Sequence, residues 1–69
     1  MYYIVSKQVY TPADAPWTVW PGTDGYHEGE LGNAGDKVSE LAATFDGFVF
    51  DIVDSDDVSI FTGDTLEVE

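Results

Sequence analysis

The last third of the chain, from Asp46 to Glu69, reads DGFVFDIVDSDDVSIFTGDTLEVE. This stretch contains no lysine, arginine or histidine, and it is also rich in valine, isoleucine and phenylalanine. A solvated acidic tail lacks such apolar content, so we expect the stretch to fold as β-strands that present a negative surface. We predict that its eight carboxylates contact a partner: Asp46, Asp51, Asp54, Asp56, Asp57, Asp64, Glu67 and Glu69.

Alternation of apolar and polar residues predicts three strands in this stretch, at 48–53, 58–62 and 65–69. Aspartate, serine and glycine fill the two intervening turns. In the third strand, Leu66 and Val68 are expected to point inward. The residues that alternate with them, Glu67 and Glu69, are expected to point outward.

The segment before this stretch carries one good helix candidate, at 33–45. Its apolar residues follow the i, i+3, i+4, i+7 spacing of one helix face: Val38, Leu41, Ala42 and Phe45. Asn33 is the predicted N-cap, and Gly47 stands where a left-handed C-cap residue is wanted. Lys37 and Glu40 are three residues apart and are expected to pair on the outer face.

The N-terminal third begins with a predicted strand at 2–10, where aromatic and β-branched residues alternate. Prolines interrupt the chain at 11–16, and a short strand is predicted at 17–20, ended by the Pro-Gly pair that follows. The glycine-rich segment 21–35 is predicted to be an irregular connection, although that length is unusual for a loop. Trp17 and Trp20 fall on opposite faces of a strand; at least one is expected to cover the edge of the core, with an exposed interface anchor as the alternative.

These elements predict one acidic α+β domain over residues 1–69, with a small antiparallel sheet of three to four strands and one helix packed on one face. Sixty-nine residues are enough for a single domain.

The charge balance narrows the classes of partner. Fourteen acidic residues against two lysines give a formal net charge of −12. A basic partner, a salt-rich environment and solubility alone are three explanations for so large an excess. We do not expect direct binding to DNA or to an anionic membrane, because the protein and these partners all carry negative charge.

The sequence contains few residues or motifs that would support catalysis. There is no cysteine, no Gly-x-Ser-x-Gly motif and no phosphate-binding loop, and His27 is the single imidazole. We therefore expect a protein without catalytic activity and without a cofactor.

Cation binding has weak support. Asp54, Asp56 and Asp57 resemble the start of a calcium loop, but the residues at the later positions of an EF-hand do not fit. A histidine followed by two glutamates, at 27–30, is a weak metal pattern as well. A solvated acidic turn is the expected outcome in both places.

The sequence shows no basic start with a long apolar run, and no apolar stretch near the roughly 20 residues that span a bilayer. We expect a cytoplasmic protein, in the host cytoplasm if a phage encodes it.

Carboxylates at alternate strand positions are about 6.6 Å apart, which is similar to the spacing of phosphates along a DNA strand. Glu67 and Glu69 can therefore imitate a phosphate row, with Val49, Val53 and Phe61 as apolar contacts on the same face. In size, absence of cysteine and density of carboxylates on predicted β structure, the chain resembles the small acidic DNA-mimic proteins of phages and mobile elements, including anti-CRISPR proteins. The resemblance is compositional and rests on no motif. It implies an inhibitor that occupies the basic, nucleic-acid-binding surface of a partner protein. A Cas subunit is one example of such a partner. The resemblance leaves the oligomeric state open.

A second hypothesis comes from a different class. Abundant aspartate and glutamate with almost no lysine is also typical of surfaces adapted to high salt. The chain would then be an acidic structural or accessory domain of a halophilic organism or its virus, with no inhibitory role. Clustering of the carboxylates on one face favours the inhibitor, and an even spread favours the structural domain.

Overall fold

In the described part of the chain, three strands and one α-helix make up the regular structure. The computed structural model describes residues 1–22 and 25–69. In chain order it contains β1 (Tyr2–Gln8), β2 (Thr18–Tyr26), a 3-10 turn (Glu28–Glu30), α1 (Leu31–Thr44) and β3 (Phe48–Val53). The α+β class, the small antiparallel sheet and the single helix packed on it are all confirmed.

The first strand lies in the middle of the sheet. The strand order is β2-β1-β3, and β1 is antiparallel to both neighbours. Ile4 lies opposite Ile52, and Val5 lies opposite Asp51 on β3 and Val19 on β2. Ile4 and Val5, which point to opposite faces of β1, are both buried, so both faces of this central strand are covered.

The helix covers one face of the sheet. A buried cluster joins the two layers, and it consists of Ile4, Ala34, Leu41 and Ile52. Trp20 extends this core at its edge. Its ring centroid lies 5.0 Å from Phe45, 5.7 Å from Phe48 and 5.3 Å from Phe50. The expectation that a tryptophan covers the edge of the core is confirmed for Trp20.

The chain after β3, residues 54–69, covers the opposite face of the sheet; we call it the C-terminal layer. It begins beside β3, where the Ile60 N–H donates to the Ile52 carbonyl at 3.0 Å. It ends beside Trp17, just before β2, in a short parallel bridge with Val68. Val5 and Val53 point away from the helix, yet both are 0% exposed, because this layer lies over them.

The prediction for residues 17–35 was wrong in part. Strand β2 does not end at Pro21 but continues to Tyr26, and the helix begins at Leu31, so little of the predicted connection is irregular. β2 is an edge strand of the sheet, where a proline leaves no ladder partner unsatisfied. Gly22 and Gly25 adopt positive φ (81° and 99°), and the pairing with β1 is irregular at this end.

The predicted helix caps were also wrong. Asn33 lies inside α1, and Glu30 is the N-cap residue, at the end of the 3-10 turn. The Glu30 carboxylate accepts a hydrogen bond from the His27 N–H at 3.2 Å, which ties down the start of the turn. At the other end, Gly47 has no positive φ; the Phe45 N–H closes the helix on the Leu41 carbonyl. The Lys37–Glu40 pair is confirmed at 3.7 Å.

Two of the three C-terminal strands do not form as predicted. Instead of a strand at 58–62, only a bridge between Ser59 and Val53 continues the sheet, and a turn follows at once. Instead of a strand at 65–69, the chain makes isolated bridges at Thr65 and Val68. The turn forms because the Ser59 hydroxyl accepts hydrogen bonds from the N–H groups of Phe61 and Thr62. In an extended strand these two N–H groups would not lie beside the hydroxyl.

Within residues 1–22 and 25–69, no helix is long and apolar enough to cross a membrane.

Candidate functional site

The eight carboxylates predicted to contact a partner occupy different environments. One is buried, one lies at the far end of β3, and the others belong to the C-terminal layer. These eight carboxylates therefore do not form a single surface.

Asp51 is a correction to the predicted surface. It is only 8% exposed, because the C-terminal layer lies over it. Both of its carboxylate oxygens lie 2.9 Å from the hydroxyl of Ser59, which is itself 2% exposed. One oxygen also accepts the Ile52 N–H at 2.7 Å. Asp51 thus joins the layer to the sheet and has little surface for a partner.

Asp46 is exposed but stands apart from the rest. It lies in the turn between α1 and β3, where the Gly47 carbonyl accepts the Val9 N–H at 3.0 Å. The six residues of β3 separate this turn from the C-terminal layer, a distance of roughly 20 Å. Asp46 does not extend the row of carboxylates on the layer.

The turn at 54–57 is organised by its own side chains. An Asp54 carboxylate oxygen accepts the N–H groups of Asp56 at 2.8 Å and Val58 at 3.1 Å. This oxygen serves the backbone, as in an Asx-turn. Asp57 adopts a left-handed backbone with φ of 62°, which aspartate tolerates better than most residues. The side chain of Asp56 remains exposed.

No cation site forms from the residues that resembled one. In the described part of the chain, no group of three or more histidine, aspartate or glutamate side chains converges on one point. This applies to the turn at 54–57 and to the histidine and glutamates at 27–30.

The last residues of the chain show the expected alternation. Leu66 and Val68 are half-buried, whereas Glu67 and Glu69 are exposed. Backbone hydrogen bonds fix this segment: the Trp17 N–H donates to the Glu67 carbonyl at 2.7 Å, and the Glu69 N–H donates to the Trp17 carbonyl at 2.9 Å. The two glutamate side chains are therefore displayed on a backbone that is held at both positions.

Both lysines are engaged elsewhere. Lys37 pairs with Glu40 on the helix. The Lys7 ammonium donates to the Ala13 carbonyl at 3.3 Å and lies 4.8 Å from the centre of the Trp17 ring. Within the described residues, 1–22 and 25–69, no ion pair involves a carboxylate of the C-terminal layer. The layer therefore presents its negative charge without an internal lysine partner.

The apolar contacts expected beside the carboxylates are only partly available. Val53 is fully buried and Val49 is half-buried, so neither forms an exposed patch. Phe61 is 62% exposed, and it stands in the turn that leads to Asp64. Phe61 is thus the one predicted apolar contact that lies on the surface.

An open cleft of about 300 Å³ lies between the sheet and the C-terminal layer. Tyr3, Val19, Val53 and Val68 line it, together with Ser55 and two carboxylates, Asp57 and Glu69. The sequence gives no signal of this cleft, because its residues come from β1, β2, β3 and both ends of the layer.

Comparisons of the chain with protein-family models, with curated proteins and with solved structures find no match.

Proposed function

We propose that this protein is a non-catalytic inhibitor that binds the basic, nucleic-acid-binding surface of another protein, with its carboxylates in the place of DNA phosphates. A Cas protein is the class of target that the compositional resemblance implies. The observation that carries the proposal is the construction of the C-terminal layer. Its backbone is fixed against the sheet, Leu66 and Val68 are turned inward, and its glutamates are turned outward without a lysine partner.

The surface comprises the accessible carboxylates of this layer: Asp54, Asp56, Asp57, Asp64, Glu67 and Glu69. Carboxylates on a fixed backbone bind a basic groove with a smaller loss of backbone entropy than a mobile acidic tail. Negative charge without an internal ion-pair partner also accelerates the encounter with a positive surface. Phe61 adds an exposed apolar group that can slow dissociation.

The proposal is tested by capture from a lysate of the source organism at about 0.1 M and about 0.5 M salt, with retained proteins identified by mass spectrometry. Parallel samples contain competing duplex DNA or polyglutamate of equal total charge. We expect one nucleic-acid-binding protein that salt and DNA displace, with DNA more effective than polyglutamate. Indiscriminate capture of basic proteins, or indifference to DNA, would contradict the proposal.

A matched pair of double variants locates the binding surface. E67Q/E69Q removes two charges from the C-terminal layer, and E28Q/D36N removes two exposed charges outside it. With the purified partner and a fluorescent duplex DNA, we expect E67Q/E69Q to displace the DNA roughly tenfold less well than the unmodified protein, and E28Q/D36N to weaken displacement less than twofold. Equal effects of the two variants would show that only net charge matters.

A second candidate function has its own support. Exposed carboxylates also lie outside the C-terminal layer, at Asp14, Glu28, Asp36 and Glu40. This spread supports an acidic structural domain of a salt-adapted organism or virus, whose charge maintains solubility. For that function, no lysate protein should be displaced by DNA, and all charge-removing variants should lower solubility at high salt to a similar extent.

A further inference from the structure

The cleft between the sheet and the C-terminal layer combines apolar walls with an acidic rim. Val19, Val53 and Val68 supply aliphatic surface, and Tyr3 supplies an aromatic ring. Small-molecule sites have volumes of roughly 300–1,000 Å³, so a cleft of about 300 Å³ is at the lower bound. A cleft of this volume suits a single side chain of a partner rather than a large cofactor.

The charges at the rim determine the kind of side chain. Asp57 and Glu69 both line the cleft, and neither forms an ion pair with a lysine or histidine side chain in residues 1–22 and 25–69. Asp57 is half-buried, which reduces solvent screening of its charge. On the Ser55 side, the Met1 amine donates to the Ser55 hydroxyl at 3.1 Å and contributes one positive group. The negative charge of the cleft is therefore concentrated at Asp57 and Glu69.

We infer that this cleft receives an arginine side chain of the basic partner; the inference rests on the proposed function. The planar guanidinium is more weakly hydrated than an ammonium, stacks on aromatic rings and forms paired hydrogen bonds with carboxylates. Its three-carbon stem contacts the valine walls, while its charged end meets Asp57 and Glu69. The tyrosine ring, the aliphatic walls and the two carboxylates each match a different part of this side chain.

The inference is tested with the full chain and a pair of small probes. N-acetyl-arginine amide carries the guanidinium, and N-acetyl-citrulline amide has nearly the same shape without the charge. Two-dimensional NMR titrations should show saturable shifts at Tyr3, Val53 and Val68 with the arginine probe, and roughly tenfold weaker binding of the citrulline probe. Equal binding of the two probes, or shifts confined to other surfaces, overturns the inference.

Two adjacent aspartates provide the matched control. Asp57 lines the cleft and Asp56 does not, so D57N and D56N remove the same charge from neighbouring positions. Asparagine also tolerates the left-handed backbone of residue 57. We expect D57N to weaken the arginine probe roughly fivefold and D56N to weaken it less than twofold. Equal weakening by both variants overturns the inference.

These experiments distinguish a failure of the arginine inference from a failure of the proposed function. If the DNA-displaceable partner is captured, and D57N binds it as tightly as the unmodified protein does, the cleft inference is overturned while the inhibitor proposal stands. If no such partner is captured, but the arginine probe shifts the cleft residues and D57N weakens this binding, the inhibitor proposal fails and the cleft remains an arginine site.

Discussion

Ser59 uses every hydrogen-bonding group of its side chain. Its hydroxyl donates to the buried Asp51 carboxylate at 2.9 Å and accepts the N–H groups of Phe61 and Thr62, each at 3.2 Å. The same oxygen thus satisfies a buried charge and shapes the turn that reverses the chain. A buried carboxylate is costly unless it is hydrogen-bonded in this way.

We expect S59A to destabilise the protein by about 1–3 kcal/mol, because it removes a donor from a buried carboxylate and an acceptor from two turn amides. Urea unfolding followed by circular dichroism measures the loss. S39A, on the exposed side of the helix, is the control and should change the free energy of unfolding by less than about 0.5 kcal/mol. A loss for S59A that is no larger than for S39A would show that the Ser59–Asp51 contact is dispensable.

The left-handed backbone of Asp57 determines which residues this position tolerates. Alanine in this conformation costs about 1–2 kcal/mol relative to glycine, whereas asparagine and aspartate are tolerated. We expect D57G and D57N to unfold at urea concentrations near that of the unmodified protein, and D57A to be less stable than D57G by about 1 kcal/mol. Equal stability of D57A and D57G would contradict the positive φ of this residue.

Among the structural elements, the C-terminal layer takes the place of a second helix. The helix buries Ile4 and Ile52 on one face of the sheet, and the layer buries Val5 and Val53 on the other, with few ladder hydrogen bonds. Both faces are covered although only one regular element is available for the purpose. The acidic surface is therefore part of the structure rather than an addition to it.

We expect removal of residues 65–69 to destabilise the protein by about 2–4 kcal/mol, since it deletes two half-buried aliphatic side chains and two backbone hydrogen bonds to Trp17. That is a large share of the roughly 3–10 kcal/mol expected for a chain of this length. Hydrogen exchange should show loss of protection at the Trp17 amide and retention at Leu41 in the helix.

E67Q/E69Q is the control for this truncation, because it keeps the backbone and the apolar side chains and removes only charge. It should retain protection at the Trp17 amide. If the truncated chain keeps that protection and its stability, the layer is not required to cover the sheet.

At the scale of the whole molecule, charge acts over the full width of the protein. The extents are 33 × 26 × 20 Å, and the Debye length falls from about 30 Å at 0.01 M salt to about 8 Å at 0.15 M. Repulsion among the carboxylates therefore operates across the entire molecule at low salt and only between neighbours at physiological salt.

We expect the melting temperature to rise as sodium chloride increases from about 0.01 to about 0.15 M. For a domain of this size, an increase of about 1 kcal/mol in the free energy of unfolding corresponds to roughly 4–8 °C. Potassium chloride should have the same effect, and calcium or magnesium chloride at matched ionic strength should add little, since no ligand cluster forms in the described part of the chain. A much larger rise with one divalent cation would instead indicate a specific site.

Sequence reasoning succeeded where a short-range pattern decides the structure. The strand alternation of β1 and β3 and the inward placement of Leu66 and Val68 are such patterns. The predicted apolar stripe of the helix is confirmed at Val38 and Leu41, whereas Ala42 is exposed and Phe45, at the end of the helix, is 39% exposed. Sequence reasoning failed where contacts distant in sequence decide. β2 continues past Pro21 because it lies at an edge of the sheet, and Asp51 is buried because Ser59 folds back over it. Neither the position of a strand in the sheet nor the return of the chain is encoded in neighbouring residues.

The bridge between Trp17 and Val68 has a consequence for the order of folding. It joins residues separated by most of the chain, and closing so long a loop is entropically expensive until β1, β2 and β3 have assembled. We therefore expect the bridge to form last, after the sheet and helix. Trp17 would then acquire its backbone partners Glu67 and Glu69 only in this last step. The backbone that carries Glu67 and Glu69 would be fixed in the same step, so that a partly folded chain would not yet display these two glutamates on a fixed backbone.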